Sequence, residues 1–246
     1  MKPFDEEVRE RIAANGRNEA LRSSARSFMR ESTQPKYSYN FSWLGRPIIQ
    51  YPQDIVAMQE LTWALQPDLI IETGIAHGGS LILYASLLEL NAAAGGPQDA
   101  RVIGIDIDIR AHNRAAIEAH PLSRRIEMIE GSSVDPVVVA QVRAAAAGRE
   151  RVLVCLDSNH THEHVLAELE AYAPMTTVGS YCVVFDTVIE ELPAGIYPDR
   201  PWGPGDNPMT AVRAYLESHL EFEVDTSIDD KLLVSVAPGG YLKRVS

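Results

Sequence analysis

LIIETGIAHGGS, residues 69–80, is a five-residue apolar run closing on Glu72 and Thr73, then a glycine-punctuated turn. Helical spacing follows at once in GSLILYASLLELNAA (79–93). A short apolar run bounded by glycines and followed by a helix reads as a buried strand entering an α/β sheet. The same unit recurs downstream. RVIGIDID (101–108) leads into an amphipathic segment (110–119), and RIEMIEG (125–131) into VDPVVVAQVRAAAA (134–147). RVLVCLD (151–157) leads into THEHVLAELEAYA (161–173), and SYCVVFD (180–186) is a fifth run. After a Pro/Gly-rich loop (192–208), MTAVRAYLESHL reads as helix, and FEVDTS and KLLVSVA as a closing antiparallel pair. Strands that are apolar throughout, separated by helices, are covered on both faces. The expectation is a doubly wound, Rossmann-like, mostly parallel seven-stranded sheet over residues 53–246, beginning with helix DIVAMQELTWAL.

Upstream, residues 5–30 read as polar helix broken near Asn15-Gly16, with apolar positions too sparse for a core element. Residues 33–51 mix Tyr37, Tyr39, Phe41 and Trp43 with prolines and read as irregular chain packed on something. Residues 1–52 are therefore expected to form an arm or a lid.

Composition removes several function classes. The chain has 246 residues, with 22 basic against 34 acidic ones and a net charge of -12. Neutralising a phosphate backbone requires clustered Lys and Arg, so nucleic acid is set aside. Cys155 and Cys182 lie within apolar runs and read as buried hydrophobes, not as a disulfide or metal clamp. The charged N-terminus lacks an apolar signal region, and no stretch is long enough to span a bilayer. A cytoplasmic setting is the expectation.

In a sheet of this kind ligands bind beyond the carboxyl ends of the strands, near the switch in strand order. Four successive strand ends here carry acids: Glu72, Asp106, Glu130 and Asp157. A dinucleotide fingerprint needs G-x-G-x-x-G to seat pyrophosphate, whereas this turn reads E-T-G-x-x-x-G-G-S. A carboxylate before the first glycine repels pyrophosphate but suits the cationic amino acid and sulfonium of S-adenosylmethionine (SAM). The cofactor-binding set expected is Glu72, Thr73, Gly74, His77, Gly78, Ser80, Asp106, Ile107, Gly131, Ser132, Ser133 and Asp157. Asp106 takes the ribose position. His77 reads equally as a cofactor contact or as a solvated loop residue.

Two stretches carry chemistry: Asp157-Ser158-Asn159-His160-Thr161-His162-Glu163-His164, and Asp186-Thr187 at the fifth strand's end. If strands four and five are neighbours, Asp157 and Asp186 converge on a divalent cation, with hard oxygens suited to Mg²⁺. Such a cation holds substrate hydroxyls and acidifies one of them. His160, at the start of a helix, is placed to act as general base. The three histidines also admit a zinc reading, but no H-E-x-x-H is present. For His164 the reading is a helix residue bonded to polar neighbours. The loop Arg200–Pro208 caps the substrate or packs as an Ω-loop on the arm.

The series IETGIAHGGSLILYASLL, VIGIDIDIR, IEGSS, LDSNHTHEHVLAELEAYAPM, GSYCVVFDT, GPG and PGGYLKR resembles the family named for cephalosporin hydroxylase and rhamnosyl O-methyltransferase, over about residues 35–246. The resemblance implies a class I SAM-methyltransferase fold, Mg²⁺-assisted O-methylation of a sugar or other small hydroxylated molecule, and homo-oligomers. It gives Asp157 and Asp186 the metal role, and His160 the place of the base. One departure stands out: where such proteins read V-V-E-D-T, this chain has Val183-Val184-Phe185-Asp186-Thr187, so one carboxylate is missing. Two other functions stay open, a partner in an oxygenase system and a SAM-binding module without catalysis, although no 2-His-1-carboxylate iron motif is evident.

Overall fold

The computed structural model describes residues 2–246. The chain opens with α1 (Phe4–Gly16) and α2 (Glu19–Thr33), whose N-cap Asn18 accepts a hydrogen bond from the Leu21 amide. A single helical turn (Tyr37–Asn40) leads into a hairpin of β1 (Phe41–Trp43) and β2 (Arg46–Ile48). Leu44 and Gly45 at its tip both take positive φ, as two-residue hairpin turns require. The segment expected to be irregular thus holds a small sheet of its own. Helix α3 (Pro52–Leu65) begins on a proline, which is preorganised for the first helical position.

The alternating region follows: β3 (Leu69–Thr73), α4 (Gly79–Ala93), β4 (Arg101–Asp106), α5 (Ala111–Glu118), β5 (Ile126–Glu130), α6 (Pro136–Ala146), β6 (Val152–Leu156), α7 (His162–Tyr172) and β7 (Tyr181–Val184). It closes with α8 (Pro208–Leu216), β8 (Phe222–Val224), α9 (Thr226–Leu232) and β9 (Tyr241–Arg244). The seven strands stand in the order β5-β4-β3-β6-β7-β9-β8, and only β9 and β8 join antiparallel. Side chains alternate between two cores. Leu69 and Ile71 join α6, α7 and α8 on one face, while Ile70 joins α3 and α4 on the other.

The closing pair differs from the expectation. KLLVSVA is not a strand; β8 pairs with YLKR at the chain's end. Asp225 caps α9 by accepting from the Ser227 amide, so Lys231 and Leu232 end a helix. Leu233 then turns the chain at φ 62, and the Val236 amide donates to buried Asp54 instead of to a ladder. The apolar run satisfies the core through Leu232, Val234 and Val236 without forming a strand.

The arm is integrated with the fold. Helix α1 buries no residue but packs on α9, where Arg22 of α2 pairs with Asp230 at 3.3 Å. Helix α2 buries Ala25, Met29 and Ser32, and the Ser32 hydroxyl meets the Tyr51 hydroxyl at 2.7 Å. No helix of the described residues is long and apolar enough to cross a membrane.

The order reverses between β3 and β6, which opens a crevice at their carboxyl ends. Backbone bonds continue past the strands there, from the Gly74 amide to the Ile105 carbonyl and from the Asp157 amide to the Thr73 carbonyl. The loops that follow therefore leave the sheet in fixed register.

Candidate active site

A cavity of about 1050 Å³ occupies this crevice. Small-molecule sites commonly run to roughly 300–1,000 Å³, so this one has room for a cofactor and an acceptor together. Its walls comprise the β3–α4 turn, the ends of β4 to β7, the loop before α8, and residues 29–51 of the arm.

The β3–α4 turn is held from both sides. Asp106 Oδ2 accepts from the Ile75 and Ala76 amides at 2.8 and 3.2 Å, and Asp106 Oδ1 accepts from the Asp108 amide. On the outer side Arg46 Nε donates to the His77 carbonyl at 3.0 Å, and Asn113 Nδ2 to the Ala76 carbonyl at 2.9 Å. Arg46 also donates to Asn113 Oδ1, joining the two clamps. Gly74, at φ 90, lies so close to β6 that a Cβ would fall 2.1 Å from the Asp157 carbonyl. No other residue lets the two strand ends approach like this.

Glu72 lies beneath the turn, 1% exposed, accepting from the Ser80 hydroxyl at 2.9 Å. Burial pushes its pKa up to about 8, against the opposing Ser80 bond and with a further push from Asp106. Of the residues expected to bind a cofactor, Gly74, His77, Ser80, Asp106, Ile107, Ser132, Ser133 and Asp157 line the cavity. Ile107 is a largely exposed apolar side chain there. Glu72, Thr73, Gly78 and Gly131 lie behind that lining. A Cβ on Gly78 would meet the buried Ile117 side chain at 2.4 Å, facing α5, and one on Gly131 would meet Val138 at 2.8 Å. These glycines serve packing directly and the cavity only through the loops they shape.

The floor is built by β6 and β7. Asp157, His160 and Asp186 each offer one ligand atom, all within 4.8 Å of one another. His160 Nε2 stands 3.1 Å from Asp186 Oδ2. Burial, then the Asp186 charge, then Glu72 hold the Asp157 carboxyl well above its usual range. Asp186 sits at φ 57, a left-handed conformation that Asp tolerates better than most residues. The turn that follows β7 leaves Phe185 in the core cluster with Val188, Val236 and Tyr241, 1% exposed, while Asp186 faces the cavity.

The other two histidines are engaged elsewhere. His164 Nε2 lies 3.1 Å from the Ser133 hydroxyl and 3.2 Å from that of Ser158, which itself donates to buried Glu168 at 2.6 Å. His162 Nδ1 meets the Thr210 hydroxyl at 2.8 Å, and its amide donates to Asp206 at 2.7 Å. A three-histidine zinc site does not form.

The loop before α8 both caps the cavity and shares it with the arm. Trp202 lies 5.3 Å from the His160 ring, braced edge-on by Tyr197 at 4.8 Å and overlaid by Arg200 at 5.6 Å. The loop's far end is anchored: Glu190 accepts from the Gly205 amide and from Asn207 Nδ2, and Asn207 forms a capping box with Thr210. Opposite elements of the wall include Met29, Lys36 and Tyr39 of the arm and Gln50 and Tyr51 before α3. Arg46, Asn113, Gln50 and Trp202 were absent from the sequence-based site set. Only Trp202 carried a signal, its place in a loop too rigid and aromatic to be a passive linker.

A profile of the family described as rhamnosyl O-methyltransferase/CmcI matches residues 35–245. The rhamnosyl O-methyltransferase of Mycobacterium tuberculosis (strain ATCC 25618 / H37Rv) is 30% identical over 196 residues, which covers 78% of this chain and 73% of that protein. That of Mycobacterium leprae (strain TN) is 29% identical, covering 82% of each. Among solved structures, the Mg–SAM complex of CmcI superposes with a TM-score of 0.58 at 20% identity, over 85% of this chain and 78% of that one. MycE, a methyltransferase of the mycinamycin pathway in complex with Mg, SAH and mycinamycin VI, gives 0.53 at 16% identity, over 88% of this chain and 54% of its own. Both likenesses are likenesses of fold. The chain belongs to the rhamnosyl O-methyltransferase/CmcI family.

Proposed function

We propose that the protein is a SAM-dependent O-methyltransferase acting on a hydroxyl of a sugar or another small hydroxylated molecule. The observation that carries this is the convergence of Asp157, His160 and Asp186 on one point of a cavity walled by the β3–α4 turn. The mycobacterial relatives are named for rhamnosyl O-methylation, and CmcI and MycE are described with Mg and with SAM or SAH.

The residues present fit both groups. The acidic surroundings of the β3–α4 turn, Glu72 and Asp106, suit a cofactor with a cationic amino acid and sulfonium, and exposed Ile107 offers an apolar platform for its base. Asp157 and Asp186 would hold Mg²⁺, with coordination completed by water. When bound, the cation supplies Lewis acidity that orients and acidifies the acceptor hydroxyl. His160, with Nε2 standing 3.1 Å from Asp186 Oδ2, lies where its imidazole can take the hydroxyl proton. SAM held against the β3–α4 turn would supply the methyl group, with its sulfonium as the leaving group, to an acceptor oxygen held in line by the floor residues. Positioning is most of the catalysis. Residues 1–52 act as an arm that walls the acceptor side, and residues 53–246 as the catalytic domain, in a homo-oligomeric cytoplasmic enzyme.

A second reading of His160 rests on the same distances. With Phe185 buried where the family resemblance implies a carboxylate, the imidazole itself offers a third ligand atom. Cobalt substitution separates the two: a ligand role requires His160→Ala to change the visible spectrum and weaken metal affinity, and a base role leaves both intact.

Calorimetry with SAM and with NADH, followed by SAH release on methyl α-L-rhamnopyranoside, tests the function. SAM binding with acceptor-dependent SAH release is expected. Oxygen uptake without SAH would favour an oxygenase role, and SAM binding without turnover on any hydroxylated acceptor would favour a non-catalytic module.

A further inference from the structure

The turn between β3 and α4 does not hold its own shape. Gly74, Ala76 and Gly78 take positive φ, at 90, 45 and 81°, and the backbone bond within the turn runs from the Gly78 amide to the Ile75 carbonyl. Helix α4 then begins without a side-chain cap. A left-handed alanine is strained and persists only where its surroundings over-determine it.

Those surroundings act from two sides. Asp106 takes the Ile75 and Ala76 amides from the sheet, while Arg46 and Asn113 take the His77 and Ala76 carbonyls from outside. Ala76 and His77 line the cavity, but neither Arg46 nor Asn113 does, so both carbonyls are drawn away from ligand space toward α5. Asn113 is 3% exposed and has both ends of its amide committed, to Arg46 and to the Ala76 carbonyl. In a chain with 34 acidic residues, the Arg46 guanidinium is spent on a backbone carbonyl and an amide oxygen.

The hairpin that carries Arg46 is itself fixed to the same half of the molecule. Trp43 Nε1 donates to the Ser86 hydroxyl of α4 at 2.9 Å, and the Leu44 carbonyl lies 3.1 Å from His120 Nε2 just beyond α5. The Pro47 carbonyl crowds the start of α4 so closely that a Cβ on Gly79 would fall 2.2 Å from it. These contacts register the guanidinium to the turn.

We propose that Arg46 is a positioning residue for the cofactor, and that the β1–β2 hairpin is a brace that sets the β3–α4 turn in its SAM-binding shape before the ligand arrives. A turn set in advance spares the ligand the cost of ordering it. This rests on the reading of the cavity as a SAM site and adds the residue, outside the cavity, that preorganises it. The hairpin thus serves the cofactor from within the arm that walls the acceptor side.

Calorimetry with SAM and hydrogen exchange over residues 74–80 test this without an acceptor. Arg46→Ala is expected to weaken SAM binding roughly 10–100-fold, as the loss of a charge-assisted clamp implies. Exchange in that segment should rise while the other strands stay as protected as in wild type, and bound SAM should restore the protection. Arg46→Lys keeps a cationic donor for the His77 carbonyl but lacks the fork that also reaches Asn113. It is expected to recover part of the affinity, and it carries the test if the alanine variant does not fold. Arg125 is the control, because it donates to the Gln98 and Ala100 carbonyls at 3.2 and 2.7 Å, at the amino end of the strands. Arg125→Ala is expected to lower Tm at least as much and to leave SAM affinity unchanged. Wild-type SAM affinity or unchanged exchange in the Arg46 variants, or equal weakening in Arg125→Ala, overturns the inference and leaves the SAM reading intact. A wild-type protein that does not bind SAM overturns both.

Discussion

Replacing Glu72 by Gln should reverse the usual cost of altering a buried residue, with a size that depends on pH. The side chain is 1% exposed, and burial lifts its pKa from 4.5 to about 8. A carboxyl whose pKa rises on folding holds its proton more tightly in the folded state. Its stabilising contribution is therefore complete below about pH 4.5 and is lost as pH climbs through 8. At about 1.4 kcal/mol per pH unit, the full loss is on the order of 5 kcal/mol. Part of the shift comes from the charge of neighbouring Asp106, which makes that figure an upper bound. Gln keeps the shape and can still accept from the Ser80 hydroxyl, but has no proton to lose. Urea denaturation of both proteins from pH 5 to 9 should show the variant gaining on the wild type up to about pH 8, then a constant gap. SAM affinity should move the other way, weaker in the variant, because the cationic ligand favours ionised Glu72. A stability difference that does not vary with pH, or a variant less stable than wild type at pH 9, would refute the argument from burial.

Three other perturbations follow from the geometry. Gly74→Ala places a Cβ 2.1 Å from the Asp157 carbonyl and should abolish SAM binding in calorimetry. Gly78→Val points into Ile117, so it should lower the melting temperature before it touches the cofactor. Chelation should reduce turnover and excess Mg²⁺ restore it, with weaker apparent affinity than a three-carboxylate site gives; full activity after exhaustive chelation would leave Asp157 an orienting group. Phe185→Glu buries an unpaired carboxyl in the core cluster with Val188, Val236 and Tyr241 and should cost stability on the order of 3–5 kcal/mol, read by denaturant titration.

What the sequence made legible is what a strand-and-loop pattern can encode. Apolar runs ending in Glu72, Asp106, Glu130, Asp157 and Asp186 placed five parallel strands and the ligand edge, because a buried parallel strand has no polar face to obscure it. The convergence of Asp157 and Asp186 followed from neighbouring strands, which β6 and β7 are. KLLVSVA misled because core burial was satisfied by a helix end and a turn, an outcome with the same hydrophobic content as a strand. Arg46, Asn113 and Gln50 were invisible because their roles come from tertiary approach. Arg46 reaches across 31 positions to His77 and 67 to Asn113, and nothing local marks either contact. Trp202 stood out by composition, but its place against His160 depends on how α8 roots its loop.

The most direct measurement of the central claim pairs turnover with cofactor affinity in His160→Ala. His160 stands at Asp186 on the cavity floor, whereas His162 is turned to Thr210 and Asp206 and serves as the internal control. Removing a general base costs roughly 10²–10⁴-fold in rate. SAH formation in His160→Ala should therefore fall by that factor with SAM affinity unchanged, while His162→Ala loses far less. Near wild-type turnover in His160→Ala would contradict the account.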